Sequence, residues 1–198
     1  LIVPEVNAAA AANRPKGIIA NPNCSTIQMV VALKPLHDEG RLKRVVVATY
    51  QAISGSGASA VAAFEAQEEA TVKGVAVDKT TLSGQFSRNL LMHWSVDAET
   101  GYQEEELKMV SETRKIFGDP SIAVSPTAVR VPVITAHSEA VTVETHEPLT
   151  AERARELLSR AEGVEVVDDL GNGIYPQPID AAGRDPVYKK VSKKTRNK

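Results

Sequence analysis

Residues 21–36 read NPNCSTIQMVVALKPL, and this stretch determines the structure around the only cysteine of the chain, Cys24. Pro22 favours an extended backbone in the residue before it, and Asn23 is of a type that caps helices. Apolar residues then recur at roughly helical spacing, at Ile27, Val30, Val31, Leu33 and Leu36. The pattern predicts an extended segment that turns into an apolar helix, with the cysteine at the helix N-terminus.

A lone thiol cannot form an intramolecular disulfide or a multi-cysteine metal site, so no metal is expected and two uses remain for Cys24. At a helix N-terminus, the helix dipole and free N–H groups would stabilise the thiolate, which is the nucleophilic form. A free cysteine is also often a small buried core residue. Spacing alone leaves both interpretations open.

Composition is ordinary for a folded domain: 198 residues, 42% hydrophobic and 24% charged, with a net charge of −2. Six of the 23 basic residues lie in residues 189–198, which predicts a disordered basic tail rather than a nucleic-acid arm. No apolar run approaches the roughly 20 residues of a membrane span, and no signal peptide is visible. We therefore expect no nucleic-acid or membrane partner, and the unpaired cysteine fits the cytoplasm.

Hydrophobic patterning predicts a connecting segment at 1–16 and one domain at 17–188. Strands are expected at 17–21, 44–50, 121–134, 139–146 and 164–167. Helices are expected at 24–40, 58–72, 103–116 and from Thr150 onward. Because strands follow one another instead of alternating strictly with helices, the pattern predicts an α+β domain. We expect a mixed, largely antiparallel sheet with helices packed on one face.

The motif Asn21–Met29 resembles the nucleophile motif of aspartate-semialdehyde dehydrogenases. Further stretches resemble the family in its order: Thr49–Gly57 (TYQAISGSG), Glu105–Lys108 with Glu112 and Thr113, Arg130–Val133 (RVPV) with His137–Ala140 (HSEA), and Tyr175–Tyr188. The similarity covers roughly residues 1–188, and the pairing of PNCST with RVPV and HSEAV is specific.

The resemblance implies an NADPH-dependent enzyme of lysine, threonine and methionine biosynthesis that converts aspartyl phosphate to aspartate semialdehyde. Cys24 would attack the acyl carbon and expel phosphate, leaving a thioester that hydride from the nicotinamide reduces. His137 matches the acid/base of the family, because an imidazole that titrates near neutrality can take a proton from the thiol and return one. A satisfied structural histidine is the alternative.

Three residues match the family's substrate contacts. Arg130 would pair with the substrate carboxylate, Gln51 would orient the acyl group, and Glu105 would receive the amino group. The alternatives without the motif are an exposed strand arginine for Arg130, a polar residue that ends a strand for Gln51, and a member of a surface ion pair for Glu105.

Four further residues are implied by the same resemblance. Lys108 and Asn23 would bind phosphate, whereas Ser54 and Gly55 would approach the nicotinamide, where glycine allows close backbone contact. The alternatives are a helix-surface ion pair between Glu104 and Lys108, a helix cap at Asn23, and an ordinary flexible turn at residues 54–57.

Arg130 and His137 are seven positions apart, an odd number, so an ideal strand would point them to opposite faces. Both reach one pocket only if the segment bulges or turns between them, and Pro132 is a candidate cause.

The sequence departs from the family in three places. No glycine-rich dinucleotide fingerprint precedes Cys24, so we expect the N-terminal dinucleotide-binding domain, and with it most of the NADP site, to be absent. The sequence then does not show whether the cofactor is NADP or NAD. Residues 84–101 resemble the family loosely, and the basic tail follows Tyr188 where the family continues with a strand and a helix.

Several functions remain open at this point. The chain is either the catalytic and dimerisation part of a homodimeric dehydrogenase or an inactive dimerisation module. A cysteine hydrolase would use the same Cys24–His137 pair to turn over esters without a nicotinamide. A related acetylglutamyl-phosphate reductase is disfavoured, because its cysteine motif lacks the Asn-Cys-Ser-Thr run.

Overall fold

The computed structural model describes residues 1–82, 84–92 and 94–192. The helices are α1 (Pro4–Asn7), α2 (Cys24–Gly40), α3 (Ala58–Lys73), α4 (Glu104–Phe117), α5 (Ala151–Ser159) and α6 (Pro178–Ala181). The strands are β1 (Leu42–Gln51), β2 (Ala123–Arg130), β3 (Ser138–Thr145), β4 (Val164–Val166) and β5 (Val187–Lys189). The predicted α+β class is confirmed. No helix among the described residues is both long and apolar enough to cross a membrane.

The larger sheet has β1 at its centre, with β2 parallel on one side and β3 antiparallel on the other. The parallel pairing is possible because the chain between β1 and β2 is long enough to return through α3 and α4. β4 and β5 form a small parallel sheet. The sheet is therefore mixed, as predicted, and its antiparallel component is the β1–β3 pair.

Helices cover one face of this sheet. Val45 and Val47 of β1 are buried on that face, in one cluster with Met29 of α2, Met109 of α4 and Leu158 of α5. Complete burial of each such side chain stabilises the fold by about 1.5–3 kcal/mol. The strand residues between them point to the opposite face, which stays open within this chain.

Helix α2 begins at Cys24 because Asn23 caps it: the Asn23 side chain accepts a hydrogen bond from the backbone N–H of Thr26 at 3.1 Å. The helix contains Pro35 and ends at Gly40, as expected from the sequence. The predicted placement of the cysteine at a helix N-terminus is thus what the structure has.

The prediction of a strand at residues 17–21 is wrong. Ile18 and Ile19 are exposed, and no strand of the described part of the chain runs beside them. An extended apolar segment becomes a strand only when a neighbouring strand satisfies its backbone groups. The Ala20 carbonyl instead accepts a hydrogen bond from the N–H of Ile2, in the coil before α1.

The strand expected at 121–134 ends earlier, at Arg130, because residues 131–137 cross the end of β1 to reach its other side. This crossover segment turns tightly: the Val133 N–H donates to the Val131 carbonyl at 2.8 Å, and Ala136 has a φ of 70°. The odd spacing of Arg130 and His137 is thereby explained by a turn over the central strand.

Residues 73–101 hold no long helix or strand in their described part, although Leu91 forms an isolated bridge with Arg130. Lys189, assigned above to the basic tail, is the last residue of β5. Residues 193–198 of the expected tail lie outside the described residues.

Candidate functional site

The site lies at the carboxyl end of β1, where the ends of three strands meet. Gln51 ends β1 and pairs with Arg130, which ends β2; Ser138 begins β3 and pairs with Tyr50. The N-terminus of α2 brings the exposed Cys24 thiol to this edge. The parallel strand β2 ends at the edge where β1 ends, and the antiparallel strand β3 begins there. Residues far apart in sequence therefore converge at this edge.

His137 contacts the thiol directly. Its Nε2 lies 3.3 Å from Cys24 Sγ, and its Nδ1 accepts a hydrogen bond from the backbone N–H of Ala52 at 2.9 Å. A nitrogen that accepts carries no proton, so the neutral ring bears its proton on Nε2. His137 therefore presents a donor to the sulfur.

The charges around the pair favour neutral groups. Burial, and then the nearby Arg130 cation, lower the pKa of His137 to about 4, although Glu105 acts in the opposite direction. Burial and Glu105 raise the pKa of the Cys24 thiol, while the Ser25 N–H and Arg130 act to lower it. Desolvation disfavours the cation, so the neutral ring is the favoured form of His137 in this site. Stabilisation of the thiolate by the helix N-terminus is present but outweighed.

Arg130 is buried, with 5% of its surface exposed. Its Nη1 donates to the Ala52 carbonyl at 2.6 Å, and its guanidinium lies 4.9 Å from the centre of the Trp94 ring. Stacking on an aromatic face fixes the guanidinium plane. The alternative of an exposed strand arginine is excluded by this burial.

Glu105 is also buried, with 6% exposed. Its Oε1 accepts hydrogen bonds from Asn23 Nδ2 at 2.8 Å and from Gln51 Nε2 at 3.1 Å. Gln51 Nε2 additionally donates to Ser25 Oγ at 3.0 Å. In this arrangement the Gln51 amide nitrogen fixes the Glu105 carboxylate, while the buried Gln51 Oε1 has no hydrogen-bond partner among the described residues. A hydrogen bond from Gln51 Nε2 to an acyl oxygen would require one of the bonds to Glu105 or Ser25 to break.

Of the remaining predicted residues, Gly55 reaches the site, and Lys108 interacts electrostatically with Glu105. A Cβ on Gly55 would lie 3.2 Å from His137 Cε1 and 3.3 Å from Arg130 Nη1, so the loop with the exposed Ser54 and Gly55 borders the reacting groups closely. Lys108 instead pairs with Glu104 at 3.0 Å on the exposed side of α4. The surface ion pair described as an alternative is the one that forms.

Sequence reasoning missed Ala52, Trp94 and Glu112. Ala52 acts through its backbone, which leaves no side-chain signature, and Trp94 lies in residues 84–101, which resemble the family only loosely. Glu112 Oε2 accepts a hydrogen bond from the backbone N–H of Asn23 at 2.7 Å and so anchors the residue before Cys24. Its place in the Glu112-Thr113 motif was the available signal.

The arrangement combines an exposed sulfur, a donor on His137, and a buried cation and carboxylate. Arg130 is suited to a carboxylate of the ligand and Glu105 to an ammonium group, which together describe an amino acid. The sulfur beside them is suited to covalent attack on an electrophilic carbon.

Comparison with known proteins finds related sequences and structures. The family model described as "Semialdehyde dehydrogenase, dimerisation domain" matches residues 33–191. The aspartate-semialdehyde dehydrogenase of Aquifex aeolicus is 50% identical over 190 residues, which are 95% of this chain and 56% of the relative. That of Legionella pneumophila is 52% identical over 174 residues, 87% and 50% of the two chains. The chain spans about half the length of the curated relatives that it matches.

Solved structures show the same similarity. The crystal structure of aspartate semialdehyde dehydrogenase II from Vibrio cholerae has a TM-score of 0.93 at 43% identity, covering 98% of this chain and 58% of that chain. A further structure of that protein, described as complexed with ASA, has a TM-score of 0.89 and covers 93% and 55%. Since the family model covers most of its residues, this chain belongs to the semialdehyde dehydrogenase family and carries the dimerisation domain.

Proposed function

We propose that the chain supplies the catalytic and dimerisation part of an aspartate-semialdehyde dehydrogenase, which reduces aspartyl phosphate to aspartate semialdehyde in lysine, threonine and methionine biosynthesis. The single observation that carries the proposal is the 3.3 Å contact between Cys24 Sγ and His137 Nε2 beside two buried charges. The relatives and structures above bear the name of this enzyme, so the acetylglutamyl-phosphate reductase is not favoured.

Substrate orientation follows from the two buried charges. Arg130 pairs with the α-carboxylate of aspartyl phosphate and Glu105 with its ammonium, and both groups are held before substrate arrives. The acyl phosphate end then lies at the N-terminus of α2, next to Cys24. Asn23 and Lys108 remain our candidates for phosphate contacts, and Lys108 would have to leave Glu104 to make one.

Acyl transfer forms a C–S bond and breaks the bond between the acyl carbon and the phosphate oxygen. The thiol proton passes to the departing phosphate, and the product is a thioester on Cys24. The Nε2–H of His137 donates first to the sulfur and then to the oxygen on which negative charge develops. His137 thus acts as a donor held in one tautomer by the amide of Ala52.

NADPH, when bound, supplies the hydride that reduces the thioester to the aldehyde and frees the sulfur. Among the described residues, Gly55 is suited to a close approach of this group, because it has no side chain where a Cβ would meet His137 and Arg130. Ser54 and Gly55 would therefore border the nicotinamide. We expect most other cofactor contacts to come from residues beyond this chain, since the relatives are longer.

A homodimer is the second part of the proposal. It is supported by the family name and by the open face of the sheet, on which Val46 is 39% and Tyr50 45% exposed. The reduced thiol that the chemistry needs agrees with residence in the cytoplasm.

The acylation step is testable on this chain without the remaining cofactor site. Mixed with aspartyl phosphate, the wild-type chain should release one phosphate per chain and gain the acyl mass at Cys24. We expect none of this from Cys24→Ala, and a trace from Cys24→Ser because a hydroxyl ionises less easily. Acetylglutamyl phosphate should acylate the chain more slowly.

Other outcomes identify the competing functions. A chain whose thiol alkylates normally but never accepts the acyl group is an inactive dimerisation module. Continuous turnover of esters without a nicotinamide would identify a cysteine hydrolase. Wild-type acylation rates in Cys24→Ala would reject the assignment of the nucleophile.

A further inference from the structure

A second contact between α2 and the start of β3 lies beside the Cys24–His137 pair. Gln28 Nε2 donates a hydrogen bond to Glu139 Oε1 at 2.7 Å. Gln28 follows Cys24 by four residues, so the two side chains share one face of α2. Glu139 follows His137 by two residues, which places those side chains on the same side of an extended chain.

The spacing of the two contacts is matched. Four residues of an α-helix rise about 6 Å, and two residues of a strand rise about 6.6 Å. A hydrogen bond between Gln28 and Glu139 therefore aligns α2 with β3. One helical turn before Gln28, the Cys24 thiol then faces the His137 imidazole. A shift of β3 by one residue would turn Glu139 away from α2 and would displace His137, which directly precedes the strand.

Glu139 is held from three elements. It pairs with Thr49 of β1, accepts from Gln28 of α2, and interacts electrostatically with Lys189 of β5. Burial raises the pKa of Glu139 to about 8, while Gln28 and Lys189 act in the opposite direction. A side chain held by three elements has a well-defined position, whereas a hydrogen bond between a thiol and an imidazole is weak by itself.

We propose that Gln28 and Glu139 are positioning residues that set the distance between Cys24 Sγ and His137 Nε2. They touch no reacting atom and act through the alignment of α2 with β3. This inference rests on the proposed role of the Cys24–His137 pair. It adds a cause for that geometry, which the nucleophile and histidine motifs do not contain.

The single cysteine allows a direct test, because alkylation by iodoacetamide reports on one sulfur in the full chain. The readout is the apparent pKa of Cys24 from the pH dependence of its alkylation rate. His137→Ala removes the donor to the sulfur, so it should raise this pKa and slow alkylation near neutral pH. We expect a factor of about 3 to 100, the range of coupling between neighbouring groups.

The decisive measurement is the effect of His137→Ala on the alkylation of Cys24 in a chain that lacks the Gln28–Glu139 hydrogen bond. Gln28→Leu alone should raise the apparent pKa of Cys24, and adding His137→Ala should then change the rate by less than about twofold. Glu139→Leu should behave like Gln28→Leu, whereas Glu139→Gln keeps an oxygen acceptor and should preserve the full effect of His137→Ala. Lys34→Met, elsewhere on α2, serves as the control and should also preserve it.

The failures are distinguishable. If Gln28→Leu folds, as judged by circular dichroism, and His137→Ala keeps its full effect, the positioning role is overturned while the catalytic pair stands. If His137→Ala has no effect in the wild-type chain, the pair itself fails and this inference fails with it. Should Gln28→Leu not fold, the contrast between Glu139→Gln and Glu139→Leu decides in the same way.

Discussion

The two backbone groups of Ala52 organise the site at the scale of single residues. Its N–H donates to His137 Nδ1, and its carbonyl accepts from Arg130 Nη1. Ala52 is fully buried and directly follows the last residue of β1. The tautomer of His137 and the orientation of Arg130 therefore depend on where one strand ends.

The lowered pKa of His137 predicts a pH dependence of stability. The folded chain favours the neutral ring, and the unfolded chain takes up a proton near 6.5, so stability is fully present above 6.5 and is lost as pH falls toward about 4. When the pH falls from about 7 to 4.5, the free energy of unfolding measured by urea denaturation should decrease by about 2 kcal/mol less in His137→Asn than in wild type. The exposed His146→Asn is the control, and an equal loss in wild type and His137→Asn would contradict this prediction.

Substitution of Gly55 should be harmful because a larger side chain has no space there, and not because of the backbone conformation of this residue. Gly55→Ala should displace His137 or Arg130 and slow acylation of Cys24 by about tenfold to hundredfold, since small displacements at reacting groups are costly. Stability should change little because the loop is exposed. The matched control is Gly171→Ala, whose Cβ would meet ordinary van der Waals contact. Equal acylation rates in the two variants would exclude a role for the close approach.

At the scale of elements, Glu139 gives β3 the opposite pH dependence. Its raised pKa means that the folded chain favours the protonated carboxyl, so stability is fully present below about 4.5 and is lost as pH rises through about 8. Glu139→Gln should therefore gain stability relative to wild type as pH rises across this window. The attraction of Lys189 offsets part of the effect. A difference between the two chains that stays constant with pH would contradict it.

Helix α3 organises the stretch that leads to Trp94 through one buried side chain. Gln67 Nε2 donates to the carbonyls of Asp78 and Gly84, and its Oε1 accepts from the N–H groups of Phe86 and Ser87. We expect Gln67→Leu to destabilise the chain by about 1–3 kcal/mol, because buried backbone groups lose their partners. Hydrogen exchange should increase first at residues 84–92. The exposed Glu65→Leu on the same helix should leave that exchange unchanged.

The elements that sequence predicted well are those fixed by local rules. Helix α2 was found because its cap and its apolar period are both local, and β1 because its β-branched run is continuous. The strand expected at 17–21 failed since a strand depends on a neighbour that the sequence does not specify. The overlong prediction ending at 134 missed a turn that exists only because β2 and β3 flank β1.

The candidate site shows the same limit. Motif resemblance identified Cys24, Glu105, Arg130 and His137, and the structure brings these four together. The tautomer of His137 could not be predicted, because it depends on a backbone N–H. The stacking of Trp94 could not be predicted either, because it depends on the course of the long connection between α3 and α4.

At the scale of the whole molecule, the open face of the sheet predicts assembly. Val46 and Tyr50 lie on it in β1, opposite the face that the helices cover. Val46→Arg should place a charge in the proposed dimer interface and convert a dimer to a monomer in sedimentation analysis. Val72→Arg, on an exposed position of α3, is the control and should leave the dimer intact. A wild-type chain that sediments as a monomer would reject the proposed dimer.

The Cys24–His137 contact joins positions 113 residues apart in sequence. Loop closure over such a distance is slow, and the crossover segment that carries the histidine is synthesised long after the helix that carries the thiol. Native reactivity of the sulfur therefore appears only once β3 has docked beside β1. A pulse of alkylating reagent during refolding would time that late event.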